Sequence, residues 1–185
     1  MNYLRSVLLC FLHISYFTGG SQSFDANSKM VGSIITHREE LTGTIDINLA
    51  LNQVLWSQDN SMRIVSASQI KMVLVEDTPK YTGNTINEEH YLFEILANGY
   101  VTILFREGII KDEFTQKKFS GYFTVVKDKL VELERKKDFF ELMGSDDKWM
   151  SLHIKNNDLN LERKEDIVKI FQYYNQTYEA THPSP

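Results

Sequence analysis

Histidines, adjacent acids and a few glycine–serine steps are the residues of this chain that could do chemistry, and their spacing decides whether they can. A metal ion needs two or more ligands converging at helical or turn spacing. The five histidines stand at His13, His37, His90, His153 and His182, none within helical reach of another. Acidic residues adjoin histidine at His37-Arg38-Glu39-Glu40 and Glu88-Glu89-His90. The first reads as the solvated start of a helix or strand and the second as a surface loop, so neither is assigned as a metal site. Asp146-Asp147 reads as a helix start, where acids favour the positive end of the dipole, rather than as a cation site. Nucleophilic catalysis needs an activated hydroxyl or thiol, and the Gly-x-Ser-x-Gly elbow is absent. Gly19-Gly20-Ser21 belongs to the leader and Gly144-Ser145 to a helix junction; neither common form of phosphate-binding glycine loop occurs. No catalytic, cofactor-binding or metal-ligating residue is therefore assigned, and no cofactor is expected. Two carboxylates brought together only by folding remain open as a catalytic arrangement.

Binding chemistry has two further sources. Trp56, Tyr81, Tyr91, Tyr100, Tyr122, Trp149, Tyr173 and Tyr174 could line a groove for a sugar or peptide. Most alternate with aliphatic residues or share a helical stripe, which is how core aromatics are spaced. The densest basic cluster, Arg135-Lys136-Lys137, reads as a solvated edge. With a net charge of −5 and no basic block, the chain is not expected to bind nucleic acid.

Met1 to Ser23 reads as a cleavable signal peptide: Arg5, an apolar stretch over residues 7–17, then Ser21 and Ser23 before a cut at Phe24. A stretch of eleven residues is too short for a bilayer core of about 30 Å, which needs roughly 20 apolar residues in a helix. Leu9 before Cys10 is too bulky for a lipoprotein processing site. Cleavage would leave 162 of the 185 residues, a charge of −6, no cysteine and no transmembrane segment. The expected location is periplasmic or extracellular.

The elements that must position any site are read from periodicity. Residues 42–49 alternate, placing Ile45, Ile47 and Leu49 on one face of a strand. Strands follow at 54–57, 62–65 and 70–75, with a turn at Asp59-Asn60. Residues 76–89 are polar and read as a loop. Residues 91–96 and 100–105 flank Asn98-Gly99, which predicts a hairpin with a type I′ turn. A polar connection over 111–121, anchored by Phe114 and Phe119, leads to a second hairpin, 122–126 and 130–133, turning at Lys127-Asp128-Lys129. Phe139, Phe140, Leu142 and Met143 predict a short helix stopped by Gly144. Ser145 would cap a second helix with Trp149, Leu152 and His153 on one face. Ile167, Ile170, Phe171 and Tyr174, at i, i+3, i+4 and i+7, predict a third.

Strands first and helices last predict a single α+β domain over 24–176: an antiparallel β-meander or partly open barrel over 42–134, followed by about three C-terminal helices over 136–176. Residues 177–185 read as a flexible tail.

The hairpin beginning Gly121-Tyr122-Phe123, the basic junction 135–137, and residues 158–175, from Asp158-Leu159-Asn160 to Tyr173-Tyr174-Asn175, together resemble uncharacterised exported proteins of Bacteroidetes-type bacteria. The Gly43-Thr44-Ile45 strand opening belongs to the same pattern, and the resemblance covers about 130 residues. It implies a signal peptide, a β-rich half and a helical end, and it carries no catalytic motif.

The functional expectation is an exported noncatalytic module that binds a partner, a protein or a ligand, at the cell envelope. A small hydrolase with a carboxylate site assembled from distant residues stays open, as does a structural or stress-response accessory of the envelope.

Overall fold

The computed structural model describes residues 29–110 and 118–182. The signal-peptide expectation at 1–23 lies outside the described residues, as does Phe114.

Ten strands are laid down in order: β1 Met30–Thr36, β2 Glu40–Asn48, β3 Gln53–Gln58, β4 Ser61–Ser66, β5 Ile70–Val75, β6 Thr78–Ile86, β7 Glu89–Ala97, β8 Ile103–Ile110, β9 Lys118–Val126 and β10 Lys129–Leu133. A single 3-10 turn, Ala67–Gln69, joins β4 to β5. Three hairpins close through two-residue turns, Glu76-Asp77, Asn87-Glu88 and Lys127-Asp128, with both turn residues at positive φ. That backbone matches the strand twist of a tight hairpin, and here it is reached without glycine.

The expected meander or partly open barrel is not what forms. All pairings are antiparallel in one ten-stranded open sheet of order β10-β9-β8-β7-β6-β5-β1-β2-β3-β4. β1, which has no counterpart in the periodicity reading, pairs with β2 on one side and β5 on the other. Its insertion breaks the consecutive order, and β4 and β10 remain as the sheet's two edges.

Residues 76–89 are a strand between two turns rather than a loop. β6 carries Pro79 and Gly83 and is half-exposed, so its own pattern is weak; backbone pairing to β5 and β7 holds it extended. Gly83 sits where the 3-10 turn crosses: a Cβ there would lie 2.3 Å from the Ala67 carbonyl oxygen and 2.4 Å from that of Ile70.

The Asn98-Gly99 turn is corrected too. β7 ends at Ala97 and β8 starts at Ile103, so five residues connect them. Phe119 lies within β9 rather than in a connection.

Three helices follow, α1 Lys136–Met143, α2 Asp147–Asn156 and α3 Lys164–Thr181. A 3-10 turn, Gly144–Asp146, carries α1 straight into α2, so the helical end amounts to two bodies rather than about three. Ser145 lies in that turn and the residue flanking α2 is Asp146. α3 runs to Thr181, through residues expected to form a tail. Asp138 accepts from the Glu134 and Arg135 amides at 3.0 and 2.9 Å, closing the start of α1. These bonds, with the Arg135 side chain, hold its carboxyl below the ordinary aspartate range. Among the described residues no helix is long and apolar enough to cross a membrane.

Alternation along β7 and β8 divides the core. Leu96, Ile103 and Phe105 face the helices and meet Phe139, Met143, Met150, Ile167, Ile170 and Phe171. Tyr91, Phe93 and Leu104 face the other way, where Phe123 and Ile109 complete a second cluster. Ile34, Ile45, Val54, Val65, Ile70, Val73 and Leu92 form a third, within β1–β5 and β7. The four α3 side chains at i, i+3, i+4 and i+7 are all buried, each worth roughly 1.5–3 kcal/mol of transfer free energy.

Candidate functional site

Asn52, at φ 54 in the β2–β3 turn, gathers partners from β7, β8 and the 3-10 turn after β4. Its Oδ1 accepts from the Leu92 amide at 3.1 Å and from Arg106 Nη2 at 3.0 Å, and its carbonyl accepts from the Ala67 amide at 2.8 Å. Arg106 also donates to the Leu49 carbonyl and places its guanidinium 5.8 Å from the centre of the Tyr91 ring. It is 5% exposed, and burial pushes it below the usual arginine range, while Tyr91 and Glu107 oppose the shift. Its Nε has no hydrogen-bond partner among the described residues. A buried cation shared between a turn and a distant strand is a bracket holding two regions of sheet together.

Beside this bracket lies a cleft of about 230 Å³, lined by Leu49, Leu92, Glu94, Phe105, Arg106, Glu107 and Lys164. Lys164 reaches Glu94 at 2.6 Å and lies 4.5 Å from the centre of the Phe105 ring. Burial and Glu94 both raise the Tyr81 phenol above its ordinary value. Two acids do share this cleft, but the Glu94 carboxylate is engaged by Lys164.

A hollow of about 270 Å³ between the β1–β2 turn and β6 has His37, Thr85, His90 and Asp128 on its wall. Thr85 Oγ1 and His90 Nδ1 are 2.9 Å apart. Among the described residues no three histidine, cysteine, aspartate or glutamate side chains converge on a metal position. His90 belongs to β7 and Glu88 to the preceding turn, so the expected loop is a strand start.

A further concave surface lies on the outside of the helical end. An open groove of about 750 Å³ runs between α1 and α2, lined by Lys137, Phe140, Asp147, Lys148, Ser151, Leu152 and Lys155. Leu152 is 60% exposed, although periodicity grouped it with Trp149 and His153 on a single face. Met150 is the fully buried residue of α2, and a side chain two positions along a helix lies about 200° around the axis. Leu152 therefore points away from the core. Lys148 and Lys155 stand two turns apart on this outward face, with Ser151 and Leu152 between them, which the i, i+7 spacing could have signalled. Lys137 pairs with Glu141 at 3.1 Å, whereas Lys148 and Lys155 form no ion pair among the described residues. Of the flagged basic cluster, Lys136 pairs with Glu162 and Arg135 with Asp138.

Most of the flagged aromatics are structural. Tyr91 and Tyr174 are buried, and Trp56, Tyr81, Tyr122 and Trp149 pack against the clusters. Tyr100 and Tyr173 are exposed, each stacked on a neighbour: Tyr100 on Tyr178 at 3.5 Å between centres, Tyr173 on His153 at 3.8 Å. Burial, aided by Asp146, pushes the Tyr174 phenol up to about 12.

Comparison with protein-family models, with curated proteins and with solved structures finds no match to this chain.

Proposed function

We propose that this chain is an exported, noncatalytic module that binds a partner at the cell envelope. The observation that carries the proposal is the groove between α1 and α2, where Leu152 is left exposed between lysines and Phe140, half-buried against the core, forms part of the wall. Exposed apolar side chains in a polar rim cost solvation unless something covers them, and that combination is typical of interaction sites. The layout of Arg5, residues 7–17, Ser21 and Ser23 supports export.

The test combines localisation with contact. Cells expressing the full chain with a C-terminal tag and a photoreactive residue at Ser151 are fractionated and irradiated. The expected result is a shortened protein outside the cytoplasm, carrying a discrete crosslinked adduct. Full-length protein confined to the cytoplasm, or exported protein without any adduct, would sink the proposal.

A further inference from the structure

We infer that the α1–α2 groove is a docking site for an acidic amphipathic helix, one carrying carboxylates two turns apart with apolar residues between them. This rests on the binding-module proposal and adds the chemistry of the partner.

The inference starts from the stripe on α2. Lys148 and Lys155 are seven residues apart, so they stand on the same face separated by about 10 Å along the axis. Ser151 and Leu152, at i+3 and i+4, fill the space between them. Across the groove, the half-buried Phe140 of α1 contributes to the facing wall, beside Lys137 in its pair with Glu141. The order along the stripe is thus cation, a serine and one exposed leucine, cation. Its complement is a helix with acids at i and i+7 and large apolar residues at i+3 and i+4.

Charge supports this occupant over others. Lys148 and Lys155 line the groove with Asp147 as the carboxylate on its wall, in a chain whose overall charge is −5, while Lys137 is engaged by Glu141. Lys155 has an ordinary explanation, since cations are favoured in the last turn of a helix. Lys148 sits in the first turn of α2, where the helix dipole does not favour a positive charge. A cation kept against the dipole, beside an apolar surface and without an ion-pair partner among the described residues, is suited to meeting a carboxylate from outside.

A bilayer fits less well. The groove offers a bilayer one well-exposed apolar side chain, Leu152, with Phe140 only partly exposed, which is little area to insert. An extended anionic surface also meets the negative charge of the rest of the chain, whereas a short helix samples only the groove within a Debye length of about 8–10 Å. A second copy of the chain would have to offer the complementary acidic stripe, and α3, the longest helix among the described residues, places buried Ile167, Ile170, Phe171 and Tyr174 where such a stripe would need free apolar residues.

The experiment uses the full chain and a fluorescent, helix-forming peptide of about 20 residues with Glu at i and i+7 and Leu at i+3 and i+4. Its controls are the same peptide with Lys in place of Glu, a scrambled version, and vesicles containing phosphatidylglycerol. The acidic peptide is expected to bind saturably, and binding is expected to weaken as salt rises from about 50 to 300 mM. Lys148→Glu with Lys155→Glu is expected to weaken it at least about tenfold, and Leu152→Asp by a similar factor, with circular dichroism unchanged. No saturable binding, equal binding of the lysine peptide, or indifference to both variants would overturn the inference. So would capture by the vesicles alone with the same lysine dependence. If the Ser151 crosslink forms and requires Lys148 and Lys155 while the peptide fails, the partner chemistry is wrong and the binding-module proposal stands. If the peptide binds as expected but the chain stays in the cytoplasm, the inference holds and the export proposal fails.

Discussion

Asn175 of α3 grips the backbone of Val101: its Nδ2 donates to the Val101 carbonyl at 2.8 Å and its Oδ1 accepts from the Val101 amide at 2.9 Å. One side chain thus satisfies both polar groups of a buried residue in the β7–β8 connection, as a neighbouring strand would. Gly99 makes room for it, because a Cβ there would lie 2.8 Å from the Asn175 side-chain carbonyl carbon. Asn175→Ala is expected to destabilise the fold by about 1–3 kcal/mol in urea unfolding, since two buried backbone groups lose their partner. A change below a few tenths would show that water replaces the side chain at no cost.

Asn52 joins the β2–β3 turn to β7 and β8. Asn52→Gly keeps the positive φ accessible while removing the acceptor shared by Leu92 and Arg106. The expected loss is about 1–3 kcal/mol, with faster amide exchange at Leu92. Unchanged exchange at Leu92 would refute the bracket.

Asp166 is buried against Arg163, at 2.6 Å, and Lys169, at 3.6 Å, and it accepts from the Asn160 amide at 3.0 Å. Burial penalises its charge, but these partners prevail and its pKa lies below the ordinary aspartate value. A depressed carboxyl stabilises the fold above its unfolded pKa of about 3.9, and that contribution is lost as pH falls through the lower folded value. Asp166→Asn is therefore expected to lower Tm at pH 7 and to flatten its decline below about pH 4. Parallel wild-type and variant curves across that range would contradict this.

Tyr174 gives the opposite limb. Its phenol ionises near pH 12 in the folded chain, against about 10 unfolded. Stability is therefore complete below about pH 10 and declines as pH rises toward 12. Tyr174→Phe should reduce that alkaline decline, followed by circular dichroism, and remove the latest phase of the absorbance titration at 295 nm. An unchanged alkaline profile would place the ionisation elsewhere.

Met150 and Leu152 test which side of α2 is covered. Met150→Ala empties a fully buried position and is expected to cost about 2–5 kcal/mol. Leu152→Ser, on the exposed side, should stay within about 0.5 kcal/mol. Comparable losses at both positions would mean that Leu152 is covered in the folded protein.

Local patterns were legible where a single element decides them. The α3 stripe from Ile167 to Tyr174, the turn at Lys127-Asp128 and the burial of Ile45 follow from periodicity and turn chemistry. β6 was not legible, because its residues are polar and its extended form depends on β5 and β7. Leu152 was assigned to the wrong face because Trp149 and His153 are only partly buried and Met150, not Trp149, marks the core side. The groove residues were missed individually: lysines read one at a time are solvent contacts, and only their spacing on a formed helix makes a stripe.

The sequence by itself determined the strand-then-helix order, the inward face of α3 and the acidic balance of the whole, since each depends on near neighbours or on composition. Tertiary structure alone decided that β1 enters between β2 and β5, that Asn98-Gly99 yields to Asn175, and that Leu152 faces outward between Lys148 and Lys155. The physical reason is that backbone groups and apolar side chains are satisfied by whichever partner packing brings, however distant in the chain. An acidic chain can in that way carry a basic groove.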